Sequence, residues 1–312
     1  MALPPLHKYL DVRGAKLTLG NRCLRFAKPS EFKDDTDMKA EGLFPDELEK
    51  ALVILADGFV DAILANLYAP PTCSPKQRLK IETLQMLFRA DPSQAPKLKA
   101  GLKADPEKNG LNLAHWKTQS DAFVKMTNEF LQNYRVLCVT TDKASERMWR
   151  EYAEGGQGIA LRITPGGAKD SKFQKFAPVT YQEKRPPVFA KILDFAAETM
   201  FGDQFERARA ALKGIIYAKT NDYNFESEYR LAIPLGEREE DYRVLAYHPE
   251  EISELYLGAA MKDADKQEII ATAKALNPAI AVFQAKQDQG GRISFDGGIR
   301  QRGPTASVCS FP

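Results

Sequence analysis

Tyr223-Asn224-Phe225-Glu226-Ser227-Glu228-Tyr229-Arg230-Leu231-Ala232-Ile233-Pro234 is the stretch on which the fold turns. Its aromatic and branched residues suit a strand, whose period of two places Glu226, Glu228 and Arg230 on one face. If that face is solvated, the charges form a surface ion pair worth well under ~1 kcal/mol. If it looks into a cleft, a guanidinium steadies one of two carboxylates roughly 7 Å apart and the face is a chemical site. A strand of this kind needs partners. Arg135-Val136-Leu137-Cys138-Val139-Thr140-Thr141 is a β-branched run fit for a buried strand, and Gly158–Ile163, Pro178–Gln182, Glu254–Leu257 and Ala279–Gln284 read as further strands. Leu6–Tyr9, Lys16–Leu19 and Arg22–Phe26 read as short strands near the start.

Helical patterns lie between and after these runs. From Pro45 to Tyr68, Leu48, Leu52, Leu55, Phe59, Ile63 and Leu67 recur at spacings of three and four, and Pro70-Pro71 ends the pattern. Pro75–Phe88 and Ala114–Tyr134 are also helical, with a Lys-rich segment between them. Ser145–Tyr152 is a short helix stopped by Gly155-Gly156, Phe189–Ile216 is one long helix bearing Phe195, Met200 and Phe205, and Ala264–Leu276 is a surface helix. The expectation is one α+β domain over residues 1–284, built on a central, mostly antiparallel sheet with a helical insertion at about 45–134. A Gly- and Arg-containing tail follows over 285–312.

Composition narrows the function. Lys and Arg total 44 against 42 for Asp and Glu, so no overall field draws the 312-residue chain to nucleic acid or acidic lipid, and any anion site is local. Cys23, Cys73, Cys138 and Cys309 are far apart and make neither a zinc knuckle nor a disulfide framework; Cys23 and Cys138, in apolar runs, read as packing. His7, His115 and His248 have no carboxylate or second His at metal-ligand spacing, so no metal is expected on them. No 18-residue apolar stretch and no signal-peptide start occur, which places the protein in the cytoplasm with no membrane partner. The absence of GxGxxG, P-loop, GxSxG and HExxH patterns excludes several large enzyme classes.

Three further positions carry possible chemistry. Trp149 and Tyr152 share a helical face and form either core or an aromatic wall beside a planar ligand. Lys219 is a surface charge or a partner for phosphate or carboxylate. His7 is an ordinary strand histidine or a donor to a ribose or phosphate.

Taken in order, His7-Lys8-Tyr9, Phe32-Lys33-Asp34-Asp35, Met148-Trp149-Arg150-Glu151-Tyr152, Glu226-Ser227-Glu228-Tyr229-Arg230 and Leu257-Gly258-Ala259 make the chain resemble the bacterial domain-of-unknown-function family twenty-nine seventy-one over about residues 6–262. Lys33 and Asp35 stand where that family's pattern has Asn and Pro, and Tyr223 where it has Trp. The run Glu228–Pro234, followed by Pro249–Tyr256, is similar to the closing segment of ADP-ribosyltransferase-fold toxins that modify DNA or RNA. That resemblance implies an ADP-ribosyltransferase-like sheet and transfer of ADP-ribose from NAD, as substrate and without metal, to a macromolecule such as RNA or DNA. It assigns Glu228 and Glu226 as catalytic and His7, Lys8, Tyr9, Thr140, Trp149, Tyr152, Lys219 and Arg230 as cofactor-binding. It also implies a toxin or anti-phage effector with an antitoxin or sensor as partner. The rivals are a Mg-dependent nuclease using Asp34, Asp35 or Asp37 with Glu226 and Glu228, and a binding module without catalysis.

Overall fold

The computed structural model describes residues 3–105, 108, 113–166, 171–235 and 243–297, which divide by contacts into two compact units. The first gathers three separated stretches, residues up to Lys28, Arg135–Val179 and the chain from Asp222 onward; the second gathers Pro29–Tyr134 and Thr180–Asn221.

The first unit is a mixed α and β structure. Its strands are β1 (Leu6–Leu10), β2 (Cys23–Phe26), β3 (Tyr134–Thr140), β4 (Ile159–Ile163), β5 (Ala177–Pro178), β8 (Glu228–Pro234), β9 (Arg243–Ala246), β10 (Ile252–Leu257), β11 (Ala281–Gln287) and β12 (Ile293–Asp296). Strands β6 (Thr180–Gln182) and β7 (Ala218–Thr220) belong to the second unit and pair with each other in parallel. Eight strands form one sheet in the order β12-β11-β10-β4-β1-β3-β8-β5, and β2 pairs with β9 separately. The β1–β3, β1–β4, β4–β10, β11–β12 and β5–β8 pairs are antiparallel and β10–β11 is parallel. The sheet is therefore mostly antiparallel, as its alternating strands suggest.

Alternation sorts the sheet's two faces. Leu6, Leu161, Ile163, Leu255 and Leu257 join Leu137, Val139 and Val282 in the main core, together with Ala15 and Leu19 of α1 (Val12–Asn21) and Ile269 and Ala273 of α9 (Asp263–Leu276). The other face carries Tyr9, Ala160 and Tyr256, covered by Met148 and Trp149 of α6 (Glu146–Tyr152) and by Ile293 of β12.

The second unit is helical: α2 (Leu48–Ala65), α3 (Pro75–Ala90), α4 (Gln94–Ala104), α5 (Leu113–Leu131), α7 (Ile192–Phe201) and α8 (Gln204–Ile216). Helix α2 packs most extensively on α7 and α4. Among the described residues no helix is long and apolar enough to cross a membrane.

Several expectations change. Lys16–Leu19 lies inside α1, which Asp11 caps by accepting the Gly14 N–H and which buries Ala15, Thr18 and Leu19 at helical spacing. A short apolar run cannot by itself tell strand from helix; the cap decides. The Lys-rich segment contains α4. The long helix over Phe189–Ile216 is two helices, broken where Asp203 caps α8 through the Phe205 and Glu206 N–H groups. Phe205, the second residue of α8, is 88% exposed. Pro178–Gln182 is split between β5 and β6. Hairpin β11–β12 carries regular structure past Gln284, where the tail was expected to begin; residues 298–312, with Cys309, lie outside the described residues.

Candidate functional site

The polar side chains gather on the sheet face that α6 covers. Strand β8 supplies Glu228 and Arg230, which point the same way because they are two residues apart. Arg230 donates from Nε to Glu228 Oε1 at 2.8 Å and from Nη2 to Oε2 at 2.9 Å, a two-point grip between residues that are both buried. Two parallel bonds from a planar guanidinium hold the carboxylate's orientation as well as its charge.

Glu226 reaches its place by another route than strand alternation. It ends a 3-10 turn over Asn221–Glu226, and Ser227, with φ of 42°, turns the chain into β8. Buried Glu226 accepts the Tyr152 O–H at 2.6 Å. Burial first, then the Glu226 charge, pushes the Tyr152 hydroxyl well above the usual tyrosine range, so it stays protonated and a donor. Arg147, five residues earlier on α6, lies over the Phe225 ring at 3.7 Å and pairs with Glu151 at 2.7 Å.

Cys138, read as packing, borders this cluster. It keeps some exposed surface, yet its thiol is pushed well above the ordinary range, by burial and then by the nearby Glu228 carboxylate. Lys8 donates from Nζ to the Cys138 carbonyl at 3.0 Å. Tyr9 donates to the Asp142 carbonyl at 3.0 Å and meets Trp149 edge to face at 5.1 Å, while Trp149 donates from Nε1 to the Lys143 carbonyl at 2.9 Å.

On the far side of Tyr9 runs a second polar row that sequence reasoning missed apart from His7 and Thr140. Register places Thr140 opposite His7, His7 opposite Arg162 and Arg162 opposite Glu254, across β3, β1, β4 and β10. Arg162 bonds Glu254 at 2.6 Å, Tyr256 donates to Glu254, and Lys143 reaches the Tyr256 hydroxyl at 2.9 Å while sitting over the Tyr256 and Phe295 rings. His7 is 3% exposed and its Nδ1 has no hydrogen-bond partner. Burial, then the Lys143 charge, lowers its pKa to about 4 against the pull of Glu254 and of a backbone hydrogen bond with Thr140, leaving a neutral ring. Alternation along Ile159–Ile163 would have marked Arg162 only once the β4–β10 pairing was known, because one residue type in a strand does not announce its cross-strand neighbour.

The remaining candidates belong to the second unit. Lys219 is in the second unit, buried, and pairs with Asp37 at 3.4 Å. Asp34 accepts from the Thr36 N–H and hydroxyl in a local turn. Asp34, Asp35 and Asp37 belong to the second unit and Glu226 and Glu228 to the first. Among the described residues no three His, Cys, Asp or Glu side chains converge to hold a metal ion.

The first unit is thus a mostly antiparallel sheet with two buried glutamates, a tyrosine donor and a guanidinium on one face. Residues 148–231, which run from Met148 within α6 to Leu231 and include Trp149, Tyr152, Glu226, Glu228 and Arg230, match the model of a family described as a protein of unknown function (DUF2971). The resemblance drawn from Met148–Tyr152 and Glu226–Arg230 meets that family over this segment. Neither a curated protein nor a solved structure matches the chain.

Proposed function

We propose that this face transfers ADP-ribose from NAD to a macromolecular acceptor. The observation that carries the reading is Glu228, buried and gripped at both oxygens by Arg230, with the Tyr152–Glu226 pair beside it. Arg230 pairs with this carboxylate at 2.8 Å and holds it in one orientation. Such a fixed negative charge, in a site poor in water, stabilises positive charge developing on a ribose as its bond to nicotinamide breaks. Glu226 takes the proton of the attacking acceptor group, and Tyr152 holds that glutamate in place. Tyr9 and Trp149 offer flat apolar surface for the nicotinamide ring. Arg162 and Lys143 supply cations for the diphosphate, and His7 Nδ1 accepts from a ribose hydroxyl.

The test is incubation of the purified chain with labelled NAD and host RNA, DNA and protein, with and without Mg²⁺. Label transfer that needs no metal and is lost in Glu228→Gln is the expected result. Cleavage of nucleic acid that requires Mg²⁺, or no transfer together with no NAD binding, would overturn the reading.

A further inference from the structure

A second candidate site lies in the first unit, apart from the glutamate cluster, in a cavity of about 300 Å³. Its wall includes Ser171, Lys172, Ile233, Val244, His248 and Glu251. That volume is at the lower end of the range for small-molecule pockets, roughly 300–1,000 Å³.

Two of these side chains are buried and polar. Glu251 is 3% exposed; its Oε2 accepts the His248 N–H at 2.9 Å and its Oε1 accepts the Gly166 N–H at 3.4 Å, a long bond. An ionised carboxylate has about four acceptor positions, so capacity is left over. Ser171 is 7% exposed and its hydroxyl has no hydrogen-bond partner. A buried polar atom left unmatched is uncommon and costs free energy, so it calls for an explanation. Because no bond holds it, the hydroxyl can turn among the staggered wells of its side chain and present itself to the cavity.

The lining also selects a ligand class. Buried Glu251 repels an anion, and exposed Lys172 disfavours a cation. What suits both is a neutral molecule whose groups donate to Glu251 and accept from Ser171, with an apolar side to lie on Ile233 and Val244. We infer that this cavity is a binding site for a small neutral polyol of monosaccharide size, independent of the ADP-ribosyl transfer assigned to the other site. Sugar hydroxyls both donate and accept, and the C–H face of the ring supplies the apolar side.

Proton NMR of the full chain tests this with little ambiguity, because only three histidines contribute imidazole signals. His248→Gln assigns the relevant one. D-glucose and D-ribose are titrated beside inorganic phosphate and putrescine. The His248 signal should move saturably with a monosaccharide and not with phosphate or putrescine. Ser171→Ala should weaken that binding by about three- to tenfold, the worth of one hydrogen bond. Its urea midpoint should stay at or above the parent's, because the lost hydroxyl has no partner in the folded chain. A signal unmoved by either sugar, one that follows phosphate or putrescine instead, or full affinity in Ser171→Ala would overturn the assignment.

Discussion

Arg230 holds Glu228 at both carboxylate oxygens from two positions along the same strand, and neither side chain is more than 5% exposed. The pair therefore forms within a single strand and does not wait for a distant partner. Its energy still depends on burial, because removing two charges from water costs several kcal/mol that only close geometry repays.

Breaking the pair from one side should be severe. Arg230→Met leaves a buried glutamate without its guanidinium and is expected to cost about 3–5 kcal/mol. Urea unfolding measures this, with the double variant Glu228→Leu, Arg230→Met recovering much of the loss. A single variant as stable as the parent would show that the buried charges are solvated more than their burial suggests.

Tyr152→Phe keeps the ring and removes only the hydroxyl that Glu226 accepts at 2.6 Å. A hydrogen bond to a charged group contributes about 1.5–3 kcal/mol, so stability should fall by that amount. Label transfer from NAD should fall as well. A stability loss without a change in transfer rate would confine Tyr152 to a structural role.

His7 makes stability depend on pH in a window set by its burial. The unfolded ring titrates near its ordinary value of 6.5 and the folded one at about 4. Between these values the unfolded chain binds the extra proton, so stability rises with pH across the window. His7 contributes its full share above 6.5, loses it progressively as pH falls to 4, and changes nothing further below that. The total is roughly 3 kcal/mol. In His7→Gln the urea midpoint should lose this slope between pH 4 and 6.5.

Two glycines should respond oppositely to alanine. A methyl on Gly258 would overlap the Gly156 carbonyl oxygen, a backbone atom that cannot swing aside, so Gly258→Ala should cost about 1–3 kcal/mol or more. Gly20, within α1, has nothing within 4 Å of where its methyl would stand. Gly20→Ala should stabilise by about 0.4–1 kcal/mol, chiefly by restricting the unfolded chain. Thermal unfolding of both variants checks the pair.

Much of the fold was legible where local pattern suffices. The leucine spacing of α2, the β-branched run of β3 and the alternation of β8 and β10 each carry their own signal, and the sheet follows from them. Two of the misreadings share one cause: the deciding information sat in a polar residue beside the apolar pattern. Asp11 turns an apolar run into α1, and Asp203 starts a new helix inside what reads as one. At the site, Glu228 and Arg230 were legible from alternation alone. Strand alternation does not extend to Glu226, which ends a 3-10 turn before the left-handed Ser227, a geometry serine seldom adopts. Arg162, Glu254 and Lys143 were invisible because they meet only through the β1–β4–β10 register and the loop after β3.

The place of β1 in the sheet bears on how the chain is made. Its neighbours are β3 and β4, so His7 finds Thr140 and Arg162 only after well over a hundred further residues have been joined. At ribosomal speeds of about 5–20 residues per second, the strand waits on the order of ten seconds after emerging. During that interval its hydrogen-bonding edges and Leu6 have no partner strand. The newborn chain thus passes through a sticky stage that the finished protein conceals, and a chaperone grip on Leu6–Leu10 is where production in the cell should be won or lost.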